Sequence, residues 1–146
     1  MNLDDLKRFK QLDTLDMLGE IDGLPDQLQS AWEIGQTYPL PEVQSLTGIV
    51  ISGMGGSAIG ADLVAAAVSS TCAVPITVHR DYGLPAFARG KSVLMVGSSH
   101  SGNTEETLDS FETARKQDCS MLVITTGGEL SRRAAQANVI AWTFEH

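Results

Sequence analysis

The sequence has few cysteines, few aromatic residues and no long apolar run. Its 146 residues include two cysteines, three scattered histidines and 5% aromatic residues. Two cysteines are too few for a disulfide framework, and the histidines and cysteines lack the spacing of a metal site. Cys72 and Cys119 are therefore predicted to be small buried side chains in a reducing compartment. We expect no metal and no other cofactor.

Membrane segments and targeting signals are also missing from the sequence pattern. No stretch approaches the roughly 18–20 apolar residues of a membrane span. The first residues lack the basic and apolar regions of a signal peptide. These features predict a cytoplasmic protein that has no membrane partner.

Basic residues are scarce relative to acidic ones. Ten lysines and arginines stand against 18 aspartates and glutamates, which gives a net charge of −8. An acidic chain argues against a nucleic-acid partner, because binding a phosphate backbone requires a basic face. It still permits a small phosphate ligand that is held by backbone amides and hydroxyls. The hydrophobic fraction of 42% and the charged fraction of 19% are typical of a globular domain.

Residues 1–44 are predicted to be a helical segment that precedes the main domain. Apolar residues recur at helical spacing over residues 2–18, which predicts a first helix. Pro25 is suited to the first turn of a second helix. Pro39 and Pro41 then interrupt the chain. We expect two packing helices without a site of their own.

From Leu46 onward, short apolar strands alternate with helices. Short, continuously apolar strands joined by helices are typical of a parallel sheet that is covered on both faces. We therefore predict a doubly wound α/β domain whose five parallel strands follow the order 2-1-3-4-5. The predicted strands are residues 48–53, 74–79, 92–97, 121–125 and 139–143, and the helices between them are residues 58–70, 104–117 and 129–137. Residues 80–87 are predicted to form a loop.

Two loops rich in glycine and hydroxyl groups follow strands one and three. The first covers residues 53–58 and the second residues 98–107. In the predicted order these strands are neighbours at the switch point, where open α/β sheets bind ligands. Each loop leads into a helix N-terminus, whose unpaired N–H groups favour an anion, and glycines let the backbone approach it closely. The pattern predicts a phosphate monoester bound by hydroxyls without a lysine, and the candidate hydroxyls are those of Ser57, Ser99, Ser101 and Thr104.

Other interpretations of the two loops stay open. The first loop also fits Gly-x-Gly-x-x-Ala, a variant of the dinucleotide fingerprint. Asp81 and Arg80 could then meet a ribose and its 2′-phosphate, although Asp81 lies beyond the expected position. The second loop weighs against a dinucleotide, which has no need of a serine-rich loop after strand three. That loop could instead be a helix cap, with Ser101 as the capping residue and Thr104 in the first turn.

The same segments resemble the sugar isomerase (SIS) domain family. The resemblance is carried by Gly55-Gly56-Ser57, by Ser99-His100-Ser101-Gly102-Asn103-Thr104-Glu105-Glu106-Thr107 and by Thr125-Thr126-Gly127-Gly128-Glu129-Leu130. The segment Arg80-Asp81-Tyr82-Gly83-Leu84-Pro85-Ala86-Phe87 resembles, more specifically, the bifunctional phosphoglucose/phosphomannose isomerases. The resemblance implies the flavodoxin-like SIS fold and a phosphosugar substrate. It also implies a homodimer that interconverts glucose 6-phosphate and mannose 6-phosphate with fructose 6-phosphate.

The resemblance also assigns residues to the binding site. By it, the substrate phosphate would be bound by Gly55, Gly56, Ser57, Ser99, Ser101, Gly102, Asn103 and Thr104. His100 stands where the family varies and is given no role. Glu129 replaces a residue that is often basic in relatives, which argues against a phosphate contact there.

No catalytic residue is identified in this chain. In the family, the general-base glutamate, the ring-opening histidine, a lysine and an arginine follow the position of His146. Residues 45–146 are therefore predicted to be a first SIS domain, truncated at its C-terminal end and inactive alone. Glu105 and Glu106 are interpreted as serving the helix dipole, and Arg132 and Arg133 as solvated. The alternatives are an SIS module that senses a phosphosugar without catalysis, and a dinucleotide-binding domain.

Overall fold

A computed structural model describes residues 6–144 of the chain. The chain divides into two compact units, Met1–Tyr38 and Pro39–His146. None of the helices described between these limits is long and apolar enough to cross a membrane.

Within residues 6–38, the first unit contains three helices, whereas two were predicted. They are α1 (Leu6–Leu12), α2 (Met17–Asp22) and α3 (Leu24–Thr37). The predicted first helix is interrupted because the carboxylate of Asp13 accepts hydrogen bonds from the N–H groups of Met17 and Leu18, at 2.7 and 2.8 Å. These bonds satisfy the first donors of α2 and so begin a new helix. Residues 2–5 of the prediction lie outside the described residues, and Pro25 lies in the first turn of α3, as predicted.

The second unit is a five-stranded parallel sheet with helices around it. The strand order is β2-β1-β3-β4-β5, which confirms the predicted order and fold class. Its elements are β1 (Gly48–Ser52), α4 (Gly55–Ala67), β2 (Ile76–His79), β3 (Val93–Ser98), α5 (Glu105–Lys116), β4 (Ser120–Thr125), α6 (Gly128–Gln136) and β5 (Ile140–Thr143). Residues 80–87 form no helix or strand, as expected.

The core of this unit lies between the sheet and the helices α5 and α6. Phe111 of α5 and Leu130 of α6 are fully buried against Met95 and Val123 of the central strands. Small buried residues, among them Ala114 and Ala134, let the helices lie close to the sheet. Cys119 is buried, as predicted, whereas Cys72 is only half-buried.

The strand register brings the carboxyl ends of the central strands to one edge of the sheet. Ser52 at the end of β1 pairs with Gly97 of β3, and Ser98 pairs with Ile124 of β4. Thr125 of β4 pairs with Thr143 of β5. The segments that follow β1, β3 and β4 therefore start side by side, as a ligand site at the switch point requires.

Candidate functional site

A cleft of about 560 Å³ opens at the carboxyl edge of the sheet. Its lining comes from the segments that follow β1, β3 and β5 and from the end of β4. The lining residues are Met54, Gly56, Ser57, Ser98, His100, Ser101, Thr104, Ile124 and Phe144. None of these residues is a lysine, an arginine or a carboxylate. Any anion in the cleft would therefore be held by N–H and hydroxyl donors.

The turn between β1 and α4, residues 53–57, presents unpaired donors to the cleft. Helix α4 begins at Gly55, so Gly55, Gly56 and Ser57 form its first turn rather than the predicted loop. The first N–H groups of a helix have no acceptor within the helix, and the capping residue, Met54, forms no side-chain cap. The hydroxyl of Ser57 makes no hydrogen bond within residues 6–144. This turn can therefore bind an anion without giving up internal contacts.

The first residue of this turn, Gly53, must be a glycine because the packing around it is close. A Cβ atom on Gly53 would lie 2.8 Å from the carbonyl oxygen of Ser98 and 3.3 Å from the Cβ of Ser57. A side chain at position 53 would push β1 away from β3 or displace α4. Gly53 therefore allows the end of β1 and the start of α4 to lie close to the end of β3.

The loop between β3 and α5, residues 99–104, is held by its own hydroxyl groups. Ser99 is 2% exposed. Its Oγ lies 2.9 Å from the Oγ1 of Thr104 and accepts a hydrogen bond from the N–H of Gly102 at 3.1 Å. The Oγ of Ser101 accepts from the N–H of Asn103 at 3.2 Å. Because that oxygen acts as an acceptor, the hydroxyl proton of Ser101 remains available to a ligand in the cleft.

The same loop caps helix α6. The side-chain oxygen of Asn103 accepts from the N–H of Glu129 at 3.1 Å, and the carbonyl oxygen of Gly102 accepts from the N–H of Leu130 at 2.8 Å. Gly102 has φ +67°, and a Cβ on it would collide with the carbonyl group of Gly127. The start of α6 is therefore satisfied by protein atoms and does not offer these donors to a ligand.

The predicted site residues thus fall into two sets. Gly56, Ser57, Ser101 and Thr104 line the cleft. Gly55 begins α4 but does not line the cleft. The internal hydrogen bonds described above are made by Ser99, Gly102 and Asn103. The residues of this second set do not line the cleft, and their direct contacts with phosphate stay predictions.

Sequence reasoning missed five lining residues, Met54, Ser98, His100, Ile124 and Phe144. Met54 lies within the first predicted loop and Ser98 begins the second, but the predicted set of phosphate-binding residues includes neither. His100 was passed over because its position varies in the family. Ile124 and Phe144 belong to no motif. One signal could have found them, since each lies at or just beyond the carboxyl end of a strand.

The arginines of α6 are paired rather than only solvated. Glu129 contacts Arg132 at 2.5 Å and Arg133 at 2.7 Å, and Arg133 also lies 3.5 Å from Glu112. Hydrogen bonds from Arg132 and Arg133 lower the pKa of Glu129 to about 2. Each arginine of this helix is therefore paired with a carboxylate of the protein.

Carboxylates on α5 hold the loop formed by residues 80–87. The hydroxyl of Tyr82 donates to Glu105 at 3.1 Å, and the N–H of Gly83 donates to Asp109 at 2.6 Å. The bond to Glu105 raises the pKa of Tyr82. Glu105 thus has a partner within the protein, in addition to the helix dipole that it is predicted to serve.

The two residues invoked for a dinucleotide are also engaged within the protein. Arg80 forms an ion pair with Asp62 of α4. The carboxylate of Asp81 accepts from the N–H of Tyr82 at 2.8 Å. Neither residue lines the cleft, so the geometry gives the dinucleotide alternative no support.

Comparison with curated proteins gives relatives of one kind. No family model matches the sequence. The chain is 41% identical over 119 residues to the bifunctional phosphoglucose/phosphomannose isomerase of Caldicellulosiruptor bescii. The matched segment covers 81% of this chain and 35% of that protein. It is 36% identical over 100 residues to the enzyme of the same name from Pyrobaculum calidifontis, covering 68% of this chain and 32% of that protein. The chain thus spans about a third of the length of these relatives.

Solved structures share the fold at lower identity. The NanR protein of Vibrio vulnificus, complexed with ManNAc-6P, matches with a TM-score of 0.61 and 16% identity over 97% of this chain and 54% of that one. Tagatose-6-phosphate ketose/aldose isomerase from Escherichia coli matches with a TM-score of 0.56 and 24% identity over 88% of this chain and 36% of that one. At such identity these matches show the fold alone. Together with the curated relatives, they confirm the resemblance to SIS domains that the motifs predicted.

Proposed function

We propose that this chain, a relative of the bifunctional phosphoglucose/phosphomannose isomerases with an SIS fold, is the phosphosugar-binding domain of an aldose–ketose isomerase. The proposed reaction interconverts glucose 6-phosphate and mannose 6-phosphate with fructose 6-phosphate. One observation carries the proposal. A cleft lined by hydroxyls and an uncapped helix N-terminus occupies the switch point of a chain that is 41% identical over 119 residues to such an enzyme.

The cleft suits a phosphate group that must be released after each turnover. The N–H groups at the start of α4 and the hydroxyls of Ser57, Ser101 and Thr104 can donate to phosphate oxygens. Hydrogen bonds from neutral donors to a charged acceptor contribute about 1.5–3 kcal/mol each. Without a lysine or arginine in the lining, we expect millimolar affinity for inorganic phosphate.

The chemical step requires groups that the lining does not contain. Aldose–ketose isomerisation needs a group that opens the ring, a carboxylate that moves a proton between C1 and C2, and a cation that stabilises the enediolate. No carboxylate, lysine or arginine is among the residues that line the cleft. We therefore assign proton transfer to another part of a longer parent protein. In this proposal residues 45–146 are its first SIS domain, truncated at the C-terminal end, after a helical segment of residues 1–44.

The proposal extends to assembly and location. We expect the parent to be a cytoplasmic homodimer whose partner is a phosphosugar rather than nucleic acid or a membrane. We expect this chain to self-associate through an apolar face that a second SIS domain would cover. Sedimentation of the isolated chain tests this point, and a strict monomer at high concentration would contradict it.

Ligand titration followed by NMR tests the binding function. Fructose 6-phosphate and inorganic phosphate should shift the amide signals of residues 55–57 and 101–104, whereas NADP should not. The double variant Ser101→Ala, Thr104→Ala should lose these shifts, and Arg132→Ala, on the paired face of α6, should keep them. Shifts confined to residues 132–137, or tighter binding of NADP, would overturn the proposal.

An activity assay tests the division of labour. The purified chain should not isomerise glucose 6-phosphate, because no carboxylate lines its cleft to move the proton between C1 and C2. Turnover above that of a Ser101→Ala control would place a general base within these 146 residues.

A further inference from the structure

The two ends of the cleft differ in chemistry. At the β1 and β3 end lie the start of α4 and the hydroxyls of Ser57, Ser101 and Thr104. At the β4 and β5 end lie Ile124 and Phe144, which are apolar. A phosphosugar has the same asymmetry, since a charged group stands at one end of a chain of C–H and hydroxyl groups.

His100 belongs to the β4 and β5 end. Its carbonyl oxygen accepts hydrogen bonds from the N–H of Thr126 at 3.1 Å and from the Oγ1 of Thr126 at 2.7 Å. The ring centroid of His100 lies 6.0 Å from that of Phe144, with the two planes tilted by 52°. The backbone of His100 is therefore fixed to the segment after β4, while its ring lies beside the residue that follows β5.

The lining also indicates a direction in which a bound phosphosugar can extend. No residue of β2, or of residues 80–87 that follow it, is among those that line the cleft. From the phosphate-binding donors, the lining continues toward β4 and β5. A ligand whose phosphate lies at the start of α4 and α5, and whose carbon chain stays in the cleft, then extends toward His100 and Phe144.

We propose that His100 is a sugar-binding residue, which hydrogen-bonds a hydroxyl group of the phosphosugar while Phe144 contacts its C–H groups. This inference rests on the proposed function and adds the recognition of the sugar itself. An imidazole ring carries one donor and one acceptor when neutral, so it can distinguish the positions of sugar hydroxyls. His100 contacts the sugar and leaves the phosphate to the hydroxyls and the α4 N-terminus.

Two probes separate the sugar contact from the phosphate contact. Fructose 6-phosphate carries both groups, and inorganic phosphate carries only one. In the wild-type chain, fructose 6-phosphate should shift the ring signals of His100 in NMR spectra, and phosphate should leave them unchanged. In His100→Gln, the affinity for fructose 6-phosphate should fall about three- to tenfold, as expected for one hydrogen bond, while that for phosphate stays within about twofold.

His79→Gln is the matched control, because His79 ends β2 and does not line the cleft. It should bind both probes as the wild type does. Equal loss of both probes in His100→Gln, or no loss of either, would overturn the role of His100 while leaving the proposed function intact. The wild-type ring signals decide the question even where a variant folds poorly, since still ring signals during fructose 6-phosphate binding exclude the contact. Failure of the wild type to bind either probe would overturn the proposed function and this inference together.

Discussion

The β1–α4 turn and the β3–α5 loop have similar compositions but different roles. Both are rich in glycine and serine, and both lead into a helix at the same edge of the sheet. Around Gly56, a Cβ atom would meet nothing within 4 Å, whereas on Gly102 it would collide with Gly127. Ser57 lines the cleft, and its hydroxyl has no hydrogen-bond partner among residues 6–144, whereas the hydroxyl of Ser99 is buried and makes two hydrogen bonds.

The comparison shows that a glycine- and serine-rich segment can leave hydrogen-bond donors exposed to a cleft or can form hydrogen bonds within the protein. In the turn, glycine leaves donors open to the cleft. In the loop, glycine permits a contact between two backbones, and the serines replace the hydrogen bonds that a regular element would supply. Only Ser101 and Thr104 of that loop line the cleft together with His100.

The largest effect is expected at Gly102. In Gly102→Ala, the alanine must adopt the left-handed conformation with φ +67°, and its Cβ atom would also collide with the carbonyl group of Gly127. We expect the free energy of unfolding to fall by at least about 3 kcal/mol, because the backbone strain and the steric clash add. Chemical denaturation followed by circular dichroism measures this change.

Gly56→Ala is the matched control for that variant. The added Cβ has open space, so stability should change by less than about 1 kcal/mol. Phosphate affinity should fall instead, since the methyl group enters the cleft. Equal destabilisation by both substitutions would show that the two segments are not distinct in the way we describe.

A smaller effect is expected when Ser99 and Ser101 are exchanged for alanine one at a time. Ser99→Ala removes a buried hydroxyl that contacts the hydroxyl of Thr104 and accepts from the N–H of Gly102, which then keeps only its 3.2 Å bond to the carbonyl oxygen of residue 99. It should cost about 1–3 kcal/mol of stability. Ser101→Ala should change stability little and weaken phosphate binding by about tenfold. A stability loss that is larger for Ser101→Ala would reverse the assignment of the two serines.

The sequence predicted the sheet well because the signal there is strong. Apolar runs such as residues 93–96 are buried between layers, and few arrangements of five such strands and their helices satisfy the connection rules. The site's place at the switch point followed from that order. The start of α4 was misjudged, because Gly55 and Gly56 are poor helix formers and hid its first turn. The break after α1 depends on the side-chain cap from Asp13, which helical periodicity alone does not show.

The roles of single loop residues could not be predicted from residue type. Ser99 and Ser101 carry the same hydroxyl two positions apart, yet one is buried and the other lines the cleft. Their directions depend on the φ of Gly102 and on its contact with Gly127, which lies in a different segment. Phe144 lines the cleft because β5 ends beside β4, a long-range consequence that no local motif encodes.

A further reduction in binding is expected for Ser57→Ala. The hydroxyl has no partner within residues 6–144, so its removal should leave stability unchanged within about 0.5 kcal/mol. Phosphate affinity should fall about fivefold, as one donor to the anion is lost. Isothermal titration of the variant against phosphate checks the affinity, and unchanged binding would remove the β1–α4 turn from the site.

The smallest effect is expected at Glu129, in the first turn of the helix that the β3–α5 loop caps. Its pKa of about 2 lies below the usual 4.5 because Arg132 and Arg133 bond to the carboxylate. A group whose pKa is lower in the folded state stabilises the protein above its unfolded pKa, and this contribution disappears as the pH falls through the folded value. The stability advantage of the wild type over Glu129→Gln should therefore be constant near neutral pH and shrink between about pH 4.5 and 2.

Exposure and salt screening keep this advantage small. Urea denaturation at pH 7, 4 and 3 measures it, and an advantage that grows on acidification would contradict the ion pairs. Phosphate binding should be unchanged in Glu129→Gln, because the carboxylate stabilises the capped helix and does not line the cleft.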